Sequence, residues 1–141
     1  MTEDIIDAIT TELKSKYRDC KVYTEKVPQN FAEPCFFIRQ LDSDYSQVGL
    51  SAKKEQNFLF TVRYFPEAKD EALEECHGVG NRLMQLLEMV SIRNQLIRSS
   101  GIRYNVQDKV LHFFIGFDIR FYIEKDISPV MGDLVVEGSV K

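Results

Sequence analysis

The stretch VLHFFIGFDIRFYIE, Val110 to Glu124, decides the fold of this chain. Every odd position from Leu111 to Ile123 is apolar, whereas the even positions mix apolar, polar and charged side chains. A period of two predicts a β-strand with one buried face. At about 3.3 Å per residue the strand would span roughly 45 Å, far more than a mean strand of five or six residues. We therefore expect it to extend beyond its own domain and to need other backbone to pair with, which favours a role in assembly.

The composition is that of an ordinary globular protein. The chain has 141 residues, and a domain of this size buries roughly two thirds of its unfolded surface without a disulfide or a metal. Hydrophobic residues make up 44%, and 10 phenylalanines without any tryptophan predict a Phe-rich core. The formal net charge of −4 gives no general electrostatic attraction to nucleic acid or anionic lipid.

The cysteines and the N-terminus both indicate a cytoplasmic protein. Cys20, Cys35 and Cys76 are odd in number and widely spaced, which is typical of reduced thiols and not of a disulfide framework. The first residues, MTEDIID, are acidic, whereas a secretory signal begins with a positive segment and an apolar run. No window approaches the roughly 20 apolar residues of a membrane span, so we expect no membrane association.

Periodicity predicts six further elements. Thr2 is expected to cap the first helix, because a threonine hydroxyl can accept from the free backbone N–H groups of the first turn. Gln107-Asp108-Lys109 is expected to join the last two strands as a hairpin. The six elements are a helix at 3–17, strands at 21–27, 35–41 and 57–65, a helix at 67–90 and a strand at 96–106.

The polar stretch DSDYSQVGLSAKKE, Asp42 to Glu55, has one glycine and no sustained period. Because strands are predicted on both sides, it is expected to be a long hairpin loop. Loops longer than about 12 residues are uncommon inside compact domains and tend to be functional. We therefore expect this segment to contact a partner.

The order of elements predicts an α+β fold with a mainly antiparallel sheet, two helices packed on one face and a long C-terminal β-hairpin. One domain is expected over residues 1–124. Residues 125–141 contain a proline, several Gly or Ser breaks and a small apolar patch, and are expected to form a tail.

Few residues could carry chemistry, and each has a simpler explanation. Cys76 and His77 are adjacent, so their side chains diverge by about 100° on a helix and cannot easily share a metal. His112 lies on the mixed strand face without a paired nucleophile. The GxG at Gly78 and Gly80 falls within a predicted helix and lacks the strand-to-turn context of a dinucleotide site. We therefore expect no catalytic residue, no metal site and no cofactor.

Charged clusters also favour structural explanations. The acidic residues of the segment 67–75 are typical of a helix start, where the helix dipole favours negative charge. Arginines beside tyrosines can form a stacking platform for RNA, but the acidic total charge argues against direct recognition of nucleic acid. The residues considered for such a platform are Arg93, Arg98, Arg103, Arg120, Tyr104 and Tyr122.

Four stretches together resemble the tail terminators of contractile-tailed phages, defective prophages and phage-tail-like bacteriocins of Gram-positive bacteria. The resemblance covers residues 2–124 in the same order of elements, and its motifs are structural. The stretches are EPCFFIRQL at 33–41, YFP at 64–66, LIR at 96–98 with Arg103-Tyr104, and VLHFFIGFDIRFY at 110–122.

The resemblance implies a non-enzymatic subunit of a homo-hexameric ring. Such a ring would cap the tail tube, end tube and sheath polymerisation and form the head-proximal end of the tail. The implied partners are the tail tube protein, the tail sheath protein and a head-tail connector or collar protein. The implied location is a virion or tail-like particle assembled in the bacterial host cytoplasm.

Other functions stay open at this point. The chain could be another head-tail joining protein or a tail tube component, or less directly a small cytosolic enzyme or nucleic-acid-binding domain. As contacts for the tube or a neighbouring subunit we select side chains of the polar stretch, of the start of the second helix and of the distal half of the long strand. They are Tyr45, Lys53, Lys54, Glu71, Glu74, Asp118, Arg120, Tyr122 and Glu124.

Overall fold

A computed structural model describes residues 1–25, 28–50, 52–123 and 134–137 of the chain. Two helices and eight strands lie in these ranges. Their bounds are α1 Thr2–Lys16, β1 Lys21–Tyr23, β2 Cys35–Gln47, β3 Lys53–Phe65, α2 Ala72–Leu86, β4 Met89–Ile92, β5 Gln95–Arg98, β6 Gly101–Gln107, β7 Val110–Ile123 and β8 Leu134–Glu137.

The main sheet has the strand order β1-β2-β3-β7-β6, and β8 pairs with β7. The β1–β2 pair is parallel and the other pairs are antiparallel. Strands β4 and β5 form a separate two-stranded sheet. Both helices and this small sheet contribute to the same apolar core as β7. The predicted α+β class with a mainly antiparallel sheet is therefore confirmed.

The long strand β7 follows its sequence pattern. The odd positions from Leu111 to Phe121 are all buried. Its pairing differs from the prediction that the strand extends beyond its own domain and needs other backbone to pair with. Twelve residues of β3, Lys53 to Tyr64, pair along one edge of β7, while β6 and β8 pair with parts of the other edge. The prediction was wrong because β3 is nearly as long as β7 and keeps pairing to its end.

The stretch 42–55 is also not the predicted loop. Strand β2 continues to Gln47 and β3 begins at Lys53, so only the residues between them connect the two strands. We call the distal part of this hairpin, residues 42–57, the arm. The register shifts at Gln40/Asp42, and the arm residues of β2 are exposed or half-buried. The sequence shows no hydrophobic alternation here because a bulge interrupts the strand and these side chains are not buried in the core.

The helix boundaries differ from the predictions for local reasons. Helix α1 already includes Thr2, so Met1 occupies the N-cap, and the Thr2 hydroxyl instead donates to Gln40 Oε1 at 2.7 Å. Helix α2 is shorter than 67–90. The Glu75 carboxylate accepts the backbone N–H groups of Glu67 and Ala68, which holds the preceding residues in a turn. Leu73, predicted on the buried stripe, is 59% exposed.

Short strands and hairpins are found where the sequence predicted the end of the second helix and a single strand at 96–106. Met89–Ile92 leaves the predicted helix to pair as β4 with β5, through a turn in which Arg93 and Asn94 have positive φ. The single strand predicted at 96–106 is therefore two strands, β5 and β6, and β1 ends at Tyr23 instead of Val27. The β6–β7 hairpin is confirmed, and its two turn residues also have positive φ, as tight hairpins require.

Candidate interaction surface

The face of the main sheet opposite the helices is the candidate interaction surface, and we call it the open face. Side chains alternate along a strand, so the even positions of β7 point away from the core. Their partners on β3 are the odd positions, for example Arg63 opposite His112 and Asn57 opposite Asp118. These side chains are half-buried or exposed, with Thr61 as the buried exception.

The proximal end of the open face is aromatic. Phe31, Phe37 and Phe65 pack against each other with ring centroids 4.8 to 5.3 Å apart. The Arg63 guanidinium lies 5.6 Å from the Phe37 centroid and 5.9 Å from that of Phe65. Burial, followed by the nearby Arg63 charge, lowers the pKa of His112. A neutral imidazole is therefore favoured in this structural position.

The middle of the open face contains a shallow apolar recess of about 380 Å³. Leu59 and Phe114 form its apolar surface, and Gly116 lies beside them under the Ser100 hydroxyl, which a Cβ at Gly116 would meet at 2.8 Å. The Arg103 guanidinium lies 4.2 Å from the Phe114 ring centroid and borders one side. The described residues that line it are Leu59, Ser100, Gly101, Ile102, Arg103, Phe114 and Gly116.

The distal end of the open face is charged. A second hollow next to the recess is lined by Asp42, Asp44 and Asp118, among other residues. Asp44 accepts a hydrogen bond from Asn57 Nδ2 at 2.6 Å. Burial, and then the charges of Glu55 and Asp44, raise the pKa of Asp118 despite the opposing effect of Arg120. This end therefore carries a partly desolvated acidic group beside an apolar recess.

The sequence of the chain is similar to that of a known protein family. A sequence profile described as phage tail terminator protein matches residues 4–129. The chain belongs to the phage tail terminator family. The terminator is therefore a structural component of a phage tail, located in the virion or tail particle and associated with other tail proteins. A search of curated proteins gave no match.

The structure brings several predicted contact residues of the terminator together on the paired strands β3 and β7. Lys53 Nζ lies 5.6 Å from the Tyr122 ring centroid, with the two residues directly opposite in register. Arg120 Nε donates to Glu55 Oε1 at 2.9 Å, beside Asp118. These residues form one continuous charged and aromatic strip across the two strands.

The remaining predicted residues lie elsewhere in the terminator. Lys54 donates to Gln47 across the arm at 3.0 Å. Tyr45 is 53% exposed, with its ring 5.8 Å from that of Phe121. Glu71 and Glu74 are exposed at the start of α2. Glu124 lies outside the described residues.

Two features of the surface were missed from the sequence. Leu50, at the end of the arm, is 104% exposed, and a lone large apolar residue beside a glycine in a polar hairpin could have signalled it. The recess could not have been found in the same way. Leu59, Phe114 and Arg103 come from three strands, and only the strand register shows that they are neighbours.

In the described part of the terminator, no group of three or more His, Cys, Asp or Glu side chains could hold a metal ion. The three cysteines are free and buried, and burial raises the pKa of the Cys35 thiol to about 11, away from a reactive thiolate. None of the helices in the described ranges has the length and apolar character needed to cross a membrane.

Proposed function

We propose that this terminator forms a closed homo-hexameric ring that caps the tail tube. The ring would end tube and sheath polymerisation and form the head-proximal end of the tail. Membership of the terminator family carries the proposal, and the subunit number of six follows the family resemblance. The proposed partners are the tail tube protein, the tail sheath protein and a head-tail connector or collar protein.

The surface of the subunit supports assembly through unlike patches. A closed ring requires a heterologous interface, in which two different surfaces of each subunit meet repeatedly until the rotation closes. The arm ends in an exposed apolar residue near Lys53 and Lys54, whereas the open face presents an apolar recess beside acidic residues. These unlike surfaces on one chain suit a head-to-tail contact.

The decisive experiment mixes the purified terminator with tubes assembled from the tail tube protein of the same particle. Electron microscopy is expected to show terminator density at one end of each tube, and added tube protein is expected not to lengthen the capped end. Density along the whole tube would instead support a tube component. Absence of binding to tubes of any length would contradict the proposal.

The lysines of the arm have two possible acidic partners on a neighbouring subunit. One is the start of α2, where Glu71 and Glu74 are exposed, and the other is the acidic end of the open face. The sequence favours the first, and this pairing stays a prediction. The double variant Glu71→Lys, Glu74→Lys tests it by the oligomeric state on tubes. An intact ring in this variant would indicate that the lysines contact the acidic end of the open face instead.

A further inference from the structure

The end of the arm carries an apolar group that its own subunit does not cover. Leu50 is 104% exposed, and Gly49 at φ +68° forms the turn before it. A backbone hydrogen bond from Val48 N–H to the Lys53 carbonyl, 2.9 Å long, closes the turn. Leu50 is therefore presented at the end of a paired hairpin, and Lys53 and Lys54 follow it within four residues.

The open face of the same chain has the matching features. Its recess exposes Leu59 and Phe114 beside Ser100 and Gly116. Asp42 and Asp44 line the adjoining hollow together with Asp118. An apolar tip followed by Lys53 on the open face thus has a counterpart in an apolar recess bordered by carboxylates.

Leu50, the tip of the arm, cannot reach the recess of its own subunit, because the arm and the recess lie along the same strand. Leu59 lies on β3 six residues from Lys53, about 20 Å at 3.3 Å per residue, and both belong to one paired sheet. A contact between tip and recess must therefore join two copies. Because the two surfaces differ, the contact is heterologous and can repeat around a ring.

We propose that Leu50 of one subunit occupies the Leu59, Phe114 and Gly116 recess of the next subunit, with Lys53, which lies on the open face, directed toward its Asp42 and Asp44. The occupant of the recess is thus a second copy of this chain. This contact specifies the subunit interface of the proposed ring, and only the closure of the ring rests on the proposed function.

A mixed crosslinking experiment tests the contact without tubes. Leu50→Cys and Leu59→Cys variants are purified separately, mixed in equal amounts and oxidised, while the three native cysteines are buried. We expect a covalent dimer in the mixture at least tenfold above the yield of either variant alone. The control mixture pairs Leu59→Cys with Leu96→Cys, which places a thiol at another exposed leucine. Equal dimer yields in the two mixtures would overturn the proposal.

A second variant separates this contact from tube capping. Leu50→Asp should retain the wild-type melting temperature, because the side chain is fully exposed, and should lose at least tenfold in ring occupancy at tube ends. Leu96→Asp, at another exposed leucine, is the matched control and should cap normally. If Leu50→Asp forms rings like those of the wild type but these rings do not bind tubes, Leu50 contacts the tube. That result would overturn the subunit contact and retain the proposed function. Crosslinking between the Leu50→Cys and Leu59→Cys variants, together with a wild-type protein that never caps tubes, would retain the contact and overturn the proposed function.

Discussion

The Tyr64 hydroxyl donates a 2.7 Å hydrogen bond to Glu75 Oε2, which links the end of β3 to the first turn of α2. The same carboxylate accepts the backbone N–H groups of Glu67 and Ala68. Burial and the hydrogen bond to Glu75 raise the pKa of Tyr64, so the phenol stays protonated as the donor. One side chain therefore satisfies three donors and fixes the path of the chain between strand and helix.

Glu75→Gln is predicted to destabilise the subunit by about 1–3 kcal/mol, the range for leaving partly buried polar groups unpaired. The amide retains one acceptor oxygen, but its NH₂ group must face a donor that the carboxylate had satisfied. Urea unfolding monitored by circular dichroism measures the loss. Glu74→Gln is the control, because Glu74 is exposed one residue earlier in the helix. Equal midpoints for the two variants would contradict the role of Glu75.

Two glycines in α2 are predicted to respond oppositely to alanine. A Cβ at Gly78 would meet nothing within 4 Å, whereas one at Gly80 would lie 3.0 Å from the Tyr104 ring. Gly78→Ala should stabilise the subunit by about 1 kcal/mol through helix propensity. Gly80→Ala should lose stability, because displacing a packed ring typically costs about 1–3 kcal/mol and exceeds that gain. Thermal and urea unfolding compare the pair, and a stabilised Gly80→Ala would show that Tyr104 moves freely.

The sequence predicted elements best where one face is continuously buried. Strand β7 and its hairpin with β6 were correctly predicted, because a core along the whole of β7 selects apolar odd positions. The strands of the arm were missed because they pair outside the core. Their side chains are exposed or half-buried, so the sequence shows no alternation of apolar and polar residues there. Strand β4 was missed for another reason: Val90 is buried, and its position also fits the helical stripe that precedes it.

The candidate surface was predictable only within single strands. The period of β7 placed Asp118, Arg120 and Tyr122 on the even face, and the structure puts their β3 partners beside them. The recess depends on the register between strands distant in sequence, which local patterns do not specify. Gly116 illustrates this limit, because its missing side chain matters only when Leu59 and Ser100 are known to lie next to it.

His112 is predicted to make stability depend on pH. Burial first, and the Arg63 charge second, lower its pKa from 6.5, whereas Asp108 opposes this shift. The unfolded chain therefore takes up the proton at a higher pH than the folded chain, and stability falls as the pH decreases through and below 6.5. His112→Gln should reduce this loss in unfolding experiments across that range. NMR titration should also show a higher His112 pKa in Arg63→Gln, and an unchanged value would exclude the arginine as a cause.

Asp118 is predicted to have the opposite pH dependence. Its pKa is raised above 3.8 by burial and by Glu55 and Asp44, so the folded chain binds this proton more tightly than the unfolded chain. Stability contributed by the protonated form is lost as the pH rises through the folded pKa. Asp118→Asn should therefore be more stable than the wild type at neutral pH, and the difference should narrow as the pH approaches 3.8.

Urea unfolding of Asp118→Asn at several pH values checks this prediction, with Asp70→Asn as a control at an exposed position. Asparagine has nearly the same shape as aspartate, so packing against the strand is retained while the charge is removed. A variant less stable than the wild type at neutral pH would mean that the attraction between Asp118 and Arg120 outweighs desolvation and the neighbouring carboxylates. A stability gain that persists unchanged toward pH 3.8 would assign the effect to packing instead of charge.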